Sequence, residues 1–240
     1  RSPTPAHFRV AELAGGSGSS AAQDLGNAAH DLILEPAEFD RRNVVEPDLP
    51  EGYANPRATK AYKEAVAEVE AANPGARVLK AEQVHAVHQM RDNVMAHPSA
   101  RKLLDADGPV EVIGIWDDPD SGLRLRIRPD KLVTFAFPGG DLGTCVDLKT
   151  TRDASLDGWQ REVETRGYAF KAAFYRLVLE GLGFPWSDHV CVTVENFAPY
   201  LAALRGIHPD WIDMETPNVR AALRGLAECR ASGRWPGYPQ

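Results

Sequence analysis

Two acidic residues and a lysine in the middle of the chain are the residues whose types and spacing indicate chemistry. Asp130 lies in the run 128–131 (RPDK), and Asp147 precedes Lys149 by two positions in the run 146–151 (VDLKTT). Side chains alternate between the two faces of a strand, so a strand here places Asp147 and Lys149 on the same side. Carboxylates bind divalent metals, and the ammonium group can orient or help deprotonate a water and neutralise charge on a phosphate. The combination predicts a site that positions water against a phosphodiester.

Further ligands for a metal are available from three other places. Glu111 lies on an earlier predicted strand, His30 on an N-terminal helix, and the backbone carbonyl of Leu148 sits between Asp147 and Lys149. Oxygen ligands of this kind favour Mg²⁺, with Mn²⁺ as the alternative. Taken singly, such residues are more often solvated acids, surface ion pairs or structural histidines. The strand–turn–strand context is what favours the metal site.

Hydrophobic periodicity predicts the elements that must position these residues. Helices are expected between Asp24 and Pro36 and at 58–72, 81–96, 99–105, 157–181 (interrupted at most by Gly167) and 217–231, and strands at 110–116, 123–128, 131–137, 143–149 and 188–194. Residues 11–23 and 36–57 are expected to form loops. Asp24 is the expected cap of the first helix, and Pro217 is expected in the first turn of the last.

This layout predicts an α/β (α+β) fold with a central mixed β-sheet flanked by helices. We expect a single domain over 1–240, with a mainly helical N-terminal part (1–106) and a catalytic core of sheet and helices (107–240).

Composition narrows the class of protein. The chain has 240 residues, with 27 Lys and Arg against 34 Asp and Glu, a net charge of −7. This charge speaks against a passive basic coat on DNA but allows an enzyme with a local basic channel. The widely spaced Cys145, Cys191 and Cys229 form neither a disulfide framework nor a C-x-x-C metal site, and the first two are expected to be buried. No apolar run suits a membrane span or a signal peptide, so a cytoplasmic location is expected.

Four motifs carry a resemblance to a known family. In chain order they are residues 26–36 (GNAAHDLILEP), 128–131 (RPDK), 147–151 (DLKTT) and 168–175 (YAFKAAFY). With these motifs the chain resembles the PD-(D/E)xK nuclease superfamily and, within it, the RecE-type exonucleases (exodeoxyribonuclease VIII and its phage relatives). The resemblance covers nearly the whole chain.

The resemblance implies a restriction-endonuclease-like core and a metal-dependent exonuclease that degrades one strand of duplex DNA from a 5′ end. The product is a 3′ single strand for a RecT-like annealing protein in recombination, within a bacterial or phage-infected cell. The implied enzyme is a homo-oligomer of ring-like shape that acts on double-stranded DNA ends. The implied site residues are His30, Glu111, Asp130 and Asp147 as metal ligands, with Lys149 as the catalytic lysine.

One position departs from the family pattern. The long helix of the family usually carries Gln four residues before a Tyr, whereas here Lys171 precedes Tyr175. Residues four apart lie on one helix face, so both can face DNA. Lys171 can touch a phosphate, but its charge would lie near Lys149.

Arginines are the remaining candidates for DNA contacts. Arg124, Arg126 and Arg128 project from one face of a predicted strand, where they either line a DNA channel or form an ordinary solvated sheet face. Arg152, Arg161 and Arg166 follow the lysine and are candidates for holding a DNA end or a 5′-phosphate.

Two alternatives to the exonuclease stay open. One is an endonuclease or structure-specific nuclease of the same fold. The other is a non-catalytic DNA-binding subunit, which the Lys171 departure favours and the intact Asp130, Asp147 and Lys149 oppose. The iron–sulfur nucleases of the superfamily are disfavoured because they require clustered cysteines.

Overall fold

A four-stranded sheet organises the part of the chain that carries the predicted site. The computed structural model describes residues 4–14 and 20–238. The helices are α1 (Pro5–Ala14), α2 (Ala21–Leu34), α3 (Phe39–Arg42), α4 (Lys60–Ala72), α5 (Ala81–Ala96), α6 (Pro98–Asp105), α7 (Leu156–Arg166), α8 (Tyr168–Gly181) and α9 (Pro209–Ser232). The strands are β1 (Asn43–Val45), β2 (Arg77–Leu79), β3 (Gly114–Asp117), β4 (Arg124–Ile127), β5 (Lys131–Phe135), β6 (Leu142–Thr151), β7 (Trp186–Glu195) and β8 (Ala202–Gly206). Short 3-10 helices span Pro36–Glu38 and Pro56–Ala58.

The main sheet has the order β5-β6-β7-β8. β6 pairs antiparallel with β5 and parallel with β7, and β7 pairs antiparallel with β8. β1 and β2 form a small parallel sheet, and β3 and β4 form an antiparallel hairpin. The predicted fold class, a mixed sheet with flanking helices, is therefore confirmed. The domain boundary at residues 106 and 107 stays a prediction.

Each face of the main sheet carries its own hydrophobic core. On one face, Cys145 and Cys191 pack with residues of α7, α8 and α9. On the other face, Val146, Leu148 and Val192 pack with residues of α2 and α5. This separation follows from the alternation of side chains along β6 and β7. All three cysteines are buried as free thiols, which confirms the prediction for Cys145 and Cys191.

The helix boundaries differ from the predictions at both ends of the chain. α2 begins at Ala21, because Ser20 and Gln23 form a capping box in which each side chain bonds the backbone N–H of the other. Of the predicted loop at 11–23, residues 11–14 and 21–23 are helical, and 15–19 lie outside the described residues. α9 begins at Pro209, so Pro217 lies inside the helix. Burial of Ile212 and Val219 offsets the backbone hydrogen bond that Pro217 removes.

The predicted strand at 110–116 and the predicted loop at 36–57 are also partly wrong. Val110 forms an isolated bridge with Lys131 and the strand itself begins at Gly114, while the segment 36–57 contains α3 and β1. β1, β2 and β8 were not predicted. β1 and β2 have only three residues each, and β8 (AALRG) lacks the alternation of apolar and polar residues that marks a strand. The predicted helix at 157–181 breaks at Gly167, whose φ of 67° ends α7 in the left-handed region that glycine adopts without strain.

No helix among the described residues has the length and apolar character needed to cross a membrane.

Asp31 anchors α2 to the small β1–β2 sheet. Its carboxylate, in a residue only 8% exposed, accepts hydrogen bonds from Arg42 at 2.9 Å and from the Asn43 amide at 3.0 Å. Arg77 of β2 also donates to it. The next residue toward the N-terminus is His30, so this network fixes the part of α2 that carries a predicted metal ligand.

We expect Asp31→Ala to lower the free energy of unfolding by about 2–3 kcal/mol, because it leaves buried donors unpaired. Urea denaturation followed by circular dichroism measures the change. The matched control is Glu64→Ala, which removes a carboxylate from an exposed pair with Lys60 on α4 and should cost about 0.5 kcal/mol or less. Equal losses in the two variants would contradict the anchoring role.

Candidate active site

Three side chains from separate parts of the chain converge beside β6. His30 comes from α2, Glu111 from the loop before β3, and Asp130 from the residue before β5. Nδ1 of His30 lies 4.0 Å from the Glu111 carboxylate and 3.7 Å from Oδ2 of Asp130. One candidate ligand atom from each residue lies within 4.8 Å of the other two. Two carboxylates and an imidazole at this spacing fit a divalent ion such as Mg²⁺ or Mn²⁺.

Glu111 reaches this cluster through an unusual backbone conformation. Its φ is 51°, in the left-handed region that costs a non-glycine residue about 1 kcal/mol or more. Its N–H donates to the carbonyl of Asp130 at 2.9 Å, which holds the two residues together. This turn explains why residues 110–113 do not continue as a strand. His30 and the nearby Arg128 hold the pKa of Glu111 below its usual value, although burial opposes them.

Asp130 lies at the edge of β6 that β5 leaves uncovered. β5 starts at Lys131, which pairs with Val146 of β6. The N–H of Leu148, two residues further along β6, has no partner on β5 and donates instead to Oδ2 of Asp130 at 2.6 Å. The N–H and C=O of one strand residue point to the same side, so the Leu148 carbonyl also faces this edge. Burial raises the pKa of Asp130, and the neighbouring Asp147 raises it further. The predicted backbone ligand thus lies beside a predicted carboxylate ligand.

The side chain of Asp147 projects from the same stretch of β6 toward α8. Its side chain is 2% exposed and contacts three donors at 3.1 Å: Nζ of Lys149, Nζ of Lys171 and Nε2 of His189. Burial alone would raise the pKa of Asp147. Lys149, His189 and Lys171 more than offset this, so the pKa lies well below its usual range. Asp147 is therefore an ionised carboxylate at neutral pH.

Lys149 is largely buried beside these carboxylates. Its Nζ lies 3.1 Å from Asp147 and donates to the carbonyl of Leu148 at 3.3 Å. Burial lowers the pKa of Lys149, but Asp147 and Asp130 outweigh it and raise the pKa above its ordinary value. The prediction that Asp147 and Lys149 share one face of a strand is confirmed.

A cavity of about 580 Å³ opens next to Lys149. It is bounded by α2, the end of β6 and α7, and its lining includes His30, Arg152, Arg166 and Tyr168. Within it, Glu162 accepts a hydrogen bond from Thr151 at 3.1 Å and lies 3.6 Å from Nε of Arg166. The cavity therefore combines cations and polar groups at one end of the acidic cluster.

The other predicted DNA contacts are distributed more widely. Arg124 pairs with Asp117, Arg126 is exposed on the same hairpin, and Arg128 pairs with Glu111. Arg161 pairs with Asp153 and does not line the cavity. Of the six predicted arginines, the structure brings only Arg152 and Arg166 to the cavity wall.

The two residues predicted on the long helix have inward contacts. The Lys171 ammonium binds Asp147, and Tyr175 is buried with its hydroxyl donating to the carbonyl of Arg128 at 3.0 Å. Roles in DNA binding stay predictions for both residues.

His189 is a site residue that the sequence analysis missed. It lies on β7 opposite Cys145, and its ring is 1% exposed. The signal was present in the predicted strand 188–194, where His189 and Cys191 share a face. The side chain of Asp147, directly opposite Cys191 on the parallel strand, projects to that same face. Without knowledge of the β6–β7 pairing, however, the partner of His189 could not be identified.

This fold and its acid–lysine arrangement define a domain of the PD-(D/E)xK type. Over residues 3–240 the sequence matches the family described as a PDDEXK-like domain of unknown function (DUF3799), and the chain belongs to that family. The predicted superfamily is therefore confirmed, while the RecE-type assignment stays a prediction.

One solved structure has a similar fold over almost the whole chain. It is the crystal structure of a "Putative exonuclease" from Eubacterium rectale, with a TM-score of 0.56 and 12% sequence identity. The match covers 99% of this chain and 84% of the other. At this identity the likeness shows the fold alone. No curated protein matches the sequence.

We expect His30→Ala to weaken Mn²⁺ binding about tenfold or more, because it removes one member of the three-residue cluster. Isothermal titration calorimetry measures the affinity. His85→Ala, which removes an exposed imidazole from α5, is the matched control and should bind as the parent does. Unchanged affinity in His30→Ala would place the metal elsewhere.

Proposed function

We propose that this protein is a divalent-metal-dependent nuclease that degrades one strand of duplex DNA from its 5′ end. The observation that carries the proposal is the convergence of His30, Glu111 and Asp130 with Asp147 and Lys149 around one stretch of β6. Membership of a PDDEXK-like family supports nuclease chemistry. The similar protein from Eubacterium rectale is described as a "Putative exonuclease", which supports action from a strand end.

The residues at the edge of β6 would bind the metal ion. His30, Glu111, Asp130 and the Leu148 carbonyl would hold Mg²⁺ or Mn²⁺ at the open edge of β6. Asp147, predicted as a further ligand, contacts Lys149, Lys171 and His189 and would add negative charge beside the ion. When bound, the ion supplies Lewis-acid stabilisation of the phosphate and acidifies a water. Arg128, which pairs with Glu111, holds that carboxylate in its orientation.

Lys149 acts as a charged donor in this proposal. Asp147 and Asp130 raise the pKa of Lys149 above its ordinary value, which favours its protonated form. In that form Lys149 can orient the attacking water and neutralise charge on the phosphate.

The cavity beside Lys149 supports action at a strand end. Its volume of about 580 Å³ is within the range of cavities that bind a small molecule, so it suits a terminal nucleotide. Arg152 and Arg166 on its wall can bind the terminal phosphate, and the Tyr168 ring can stack on a base.

The biological setting rests on the RecE-type resemblance. We propose that the 3′ single strand produced by the enzyme is passed to a RecT-like annealing protein during recombination. We also propose that the protein works in the cytoplasm of a bacterial or phage-infected cell as a ring-like homo-oligomer, which would keep it on its substrate.

Linear duplex labelled at either the 5′ or the 3′ end tests the reaction, with a covalently closed circle alongside, in Mg²⁺ and in EDTA. We expect early, Mg²⁺-dependent loss of the 5′ label while the circle stays intact. Lys149→Ala should slow the reaction by about 100-fold or more, because it removes the buried cation beside the acidic centre. His85→Ala should match the parent.

The other outcomes identify the alternatives. Cutting of the circle would indicate the endonuclease or structure-specific nuclease. Metal binding without any cutting would indicate the non-catalytic DNA-binding subunit, which the Lys171–Asp147 contact favours. A parent rate in Lys149→Ala would contradict the proposed centre.

The cavity arginines give a separate prediction. We expect Arg152→Gln and Arg166→Gln each to raise KM for 5′-phosphorylated duplex about fivefold, the equivalent of about 1 kcal/mol for one exposed charge-assisted contact. Steady-state digestion at several salt concentrations measures KM. Arg161→Gln is the matched control, since Arg161 pairs with Asp153 away from the cavity. A larger effect in Arg161→Gln than in the other two variants would relocate the DNA end.

A further inference from the structure

Lys171 binds the Asp147 carboxylate across both of its oxygens. Its Nζ lies 3.1 Å from Oδ1 and 3.1 Å from Oδ2. Nζ of Lys149 and Nε2 of His189 each lie 3.1 Å from Oδ2. An ionised carboxylate has about four positions that accept hydrogen bonds. The three donors make four contacts with Asp147, three of them at Oδ2 and one at Oδ1. On the α8 side of β6, Asp147 is therefore already coordinated by groups of the chain itself.

The Lys171 ammonium is held in place by the fold. α8 begins directly after the left-handed turn at Gly167, and the N–H of Lys171 donates to the carbonyl of Gly167 at 3.1 Å. The ammonium group also lies 4.7 Å from the ring centroid of Tyr175, a cation–π contact. Tyr175 is itself fixed by its hydrogen bond to the carbonyl of Arg128. The cation therefore has a defined position between Asp147 and a buried ring.

A fixed ammonium beside Asp147 competes with a metal ion. Two-metal centres hold their ions about 3.5–4 Å apart, close enough to share a carboxylate. An ion on the α8 side of Asp147 would meet the Lys171 ammonium at close range, where like charges repel. By contrast, the cluster of His30, Glu111 and Asp130 carries two carboxylates, and among the described residues neither of them forms an ion pair with a lysine; Glu111 pairs with Arg128 at 2.9 Å.

We propose that Lys171 occupies the position that a second divalent ion would take beside Asp147, so that this centre binds one ion. The ion lies on the side of His30, Glu111 and Asp130, and the lysine supplies the positive charge on the other side. This inference rests on the proposed function only in requiring that the acidic cluster binds a divalent metal. It makes Lys171 a residue that sets metal stoichiometry.

Counting bound Mn²⁺ on the full chain tests the inference, by equilibrium dialysis and electron paramagnetic resonance. The parent should bind one ion per chain. Lys171→Gln, which keeps an extended side chain and removes its charge, should bind two, and the second should give the signal of a spin-coupled pair. Lys171→Gln combined with Asp147→Asn should return the count to one, which assigns the second ion to Asp147.

Arg166→Gln is the matched control. It removes one positive charge from the neighbouring cavity without touching Asp147, and it should keep the count at one. A second ion in Arg166→Gln would mean that general electrostatics set the count, and it would overturn the specific role of Lys171. Lys171→Met, which keeps an unbranched stem without a charge, provides the same test if the Gln variant unfolds at a lower temperature.

A parent count of two or of zero would overturn the inference, as would a count of one in a folded Lys171→Gln variant. These results are separable from the nuclease assay. If the parent binds one ion and Lys171→Gln binds two, but neither degrades DNA, the proposed function is refuted and the role of Lys171 stands. If the parent degrades DNA but binds two ions, the role of Lys171 is refuted and the proposed function stands.

Discussion

The ionised carboxylate of Asp147 lies on an inner strand of the sheet with 2% of its side chain exposed, and such a charge is costly unless it is paired. Each element around it contributes a donor: Lys149 from β6 itself, His189 from β7 and Lys171 from α8. The parallel pairing of β6 with β7 and the packing of α8 on the sheet are therefore tied to this one charge. A shift in either would leave a buried ion without its partners.

The uncovered edge of β6 provides the other half of the centre. β5 begins only at Lys131, and this leaves room for Asp130 to accept the Leu148 N–H. Glu111 reaches the same edge through a left-handed backbone turn, and α2 brings His30 above it. Leu148 connects the two halves, because its backbone faces the edge while the side chains of Asp147 and Lys149 face α8. The metal-ligand cluster of His30, Glu111 and Asp130 and the charged donor Lys149 thus meet at one short stretch of β6.

Much of this arrangement was accessible from local patterns. Period-two alternation in 143–149 correctly placed Asp147 and Lys149 on one side, since strand geometry alone dictates it. The mixed sheet and the superfamily were also predicted correctly. The errors have specific causes. Glu111 sits in a strained turn that apolar periodicity reads as a strand, and Pro217 lies within α9 because burial on either side of it outweighs a local preference.

The sequence by itself determined which chemistry is possible, because the types and order of Asp130, Asp147 and Lys149 are local facts, and strand alternation converts their spacing into a shared face. His30 and Glu111 were candidates from the family resemblance, but they are 81 residues apart, and only the tertiary structure brings them to Asp130. His189 meets Asp147 only through the β6–β7 register. The contact of Lys171 with both oxygens of Asp147 likewise depends on how α8 packs on the sheet. Such long-range pairings arise from the burial of whole elements, which no short window of sequence encodes.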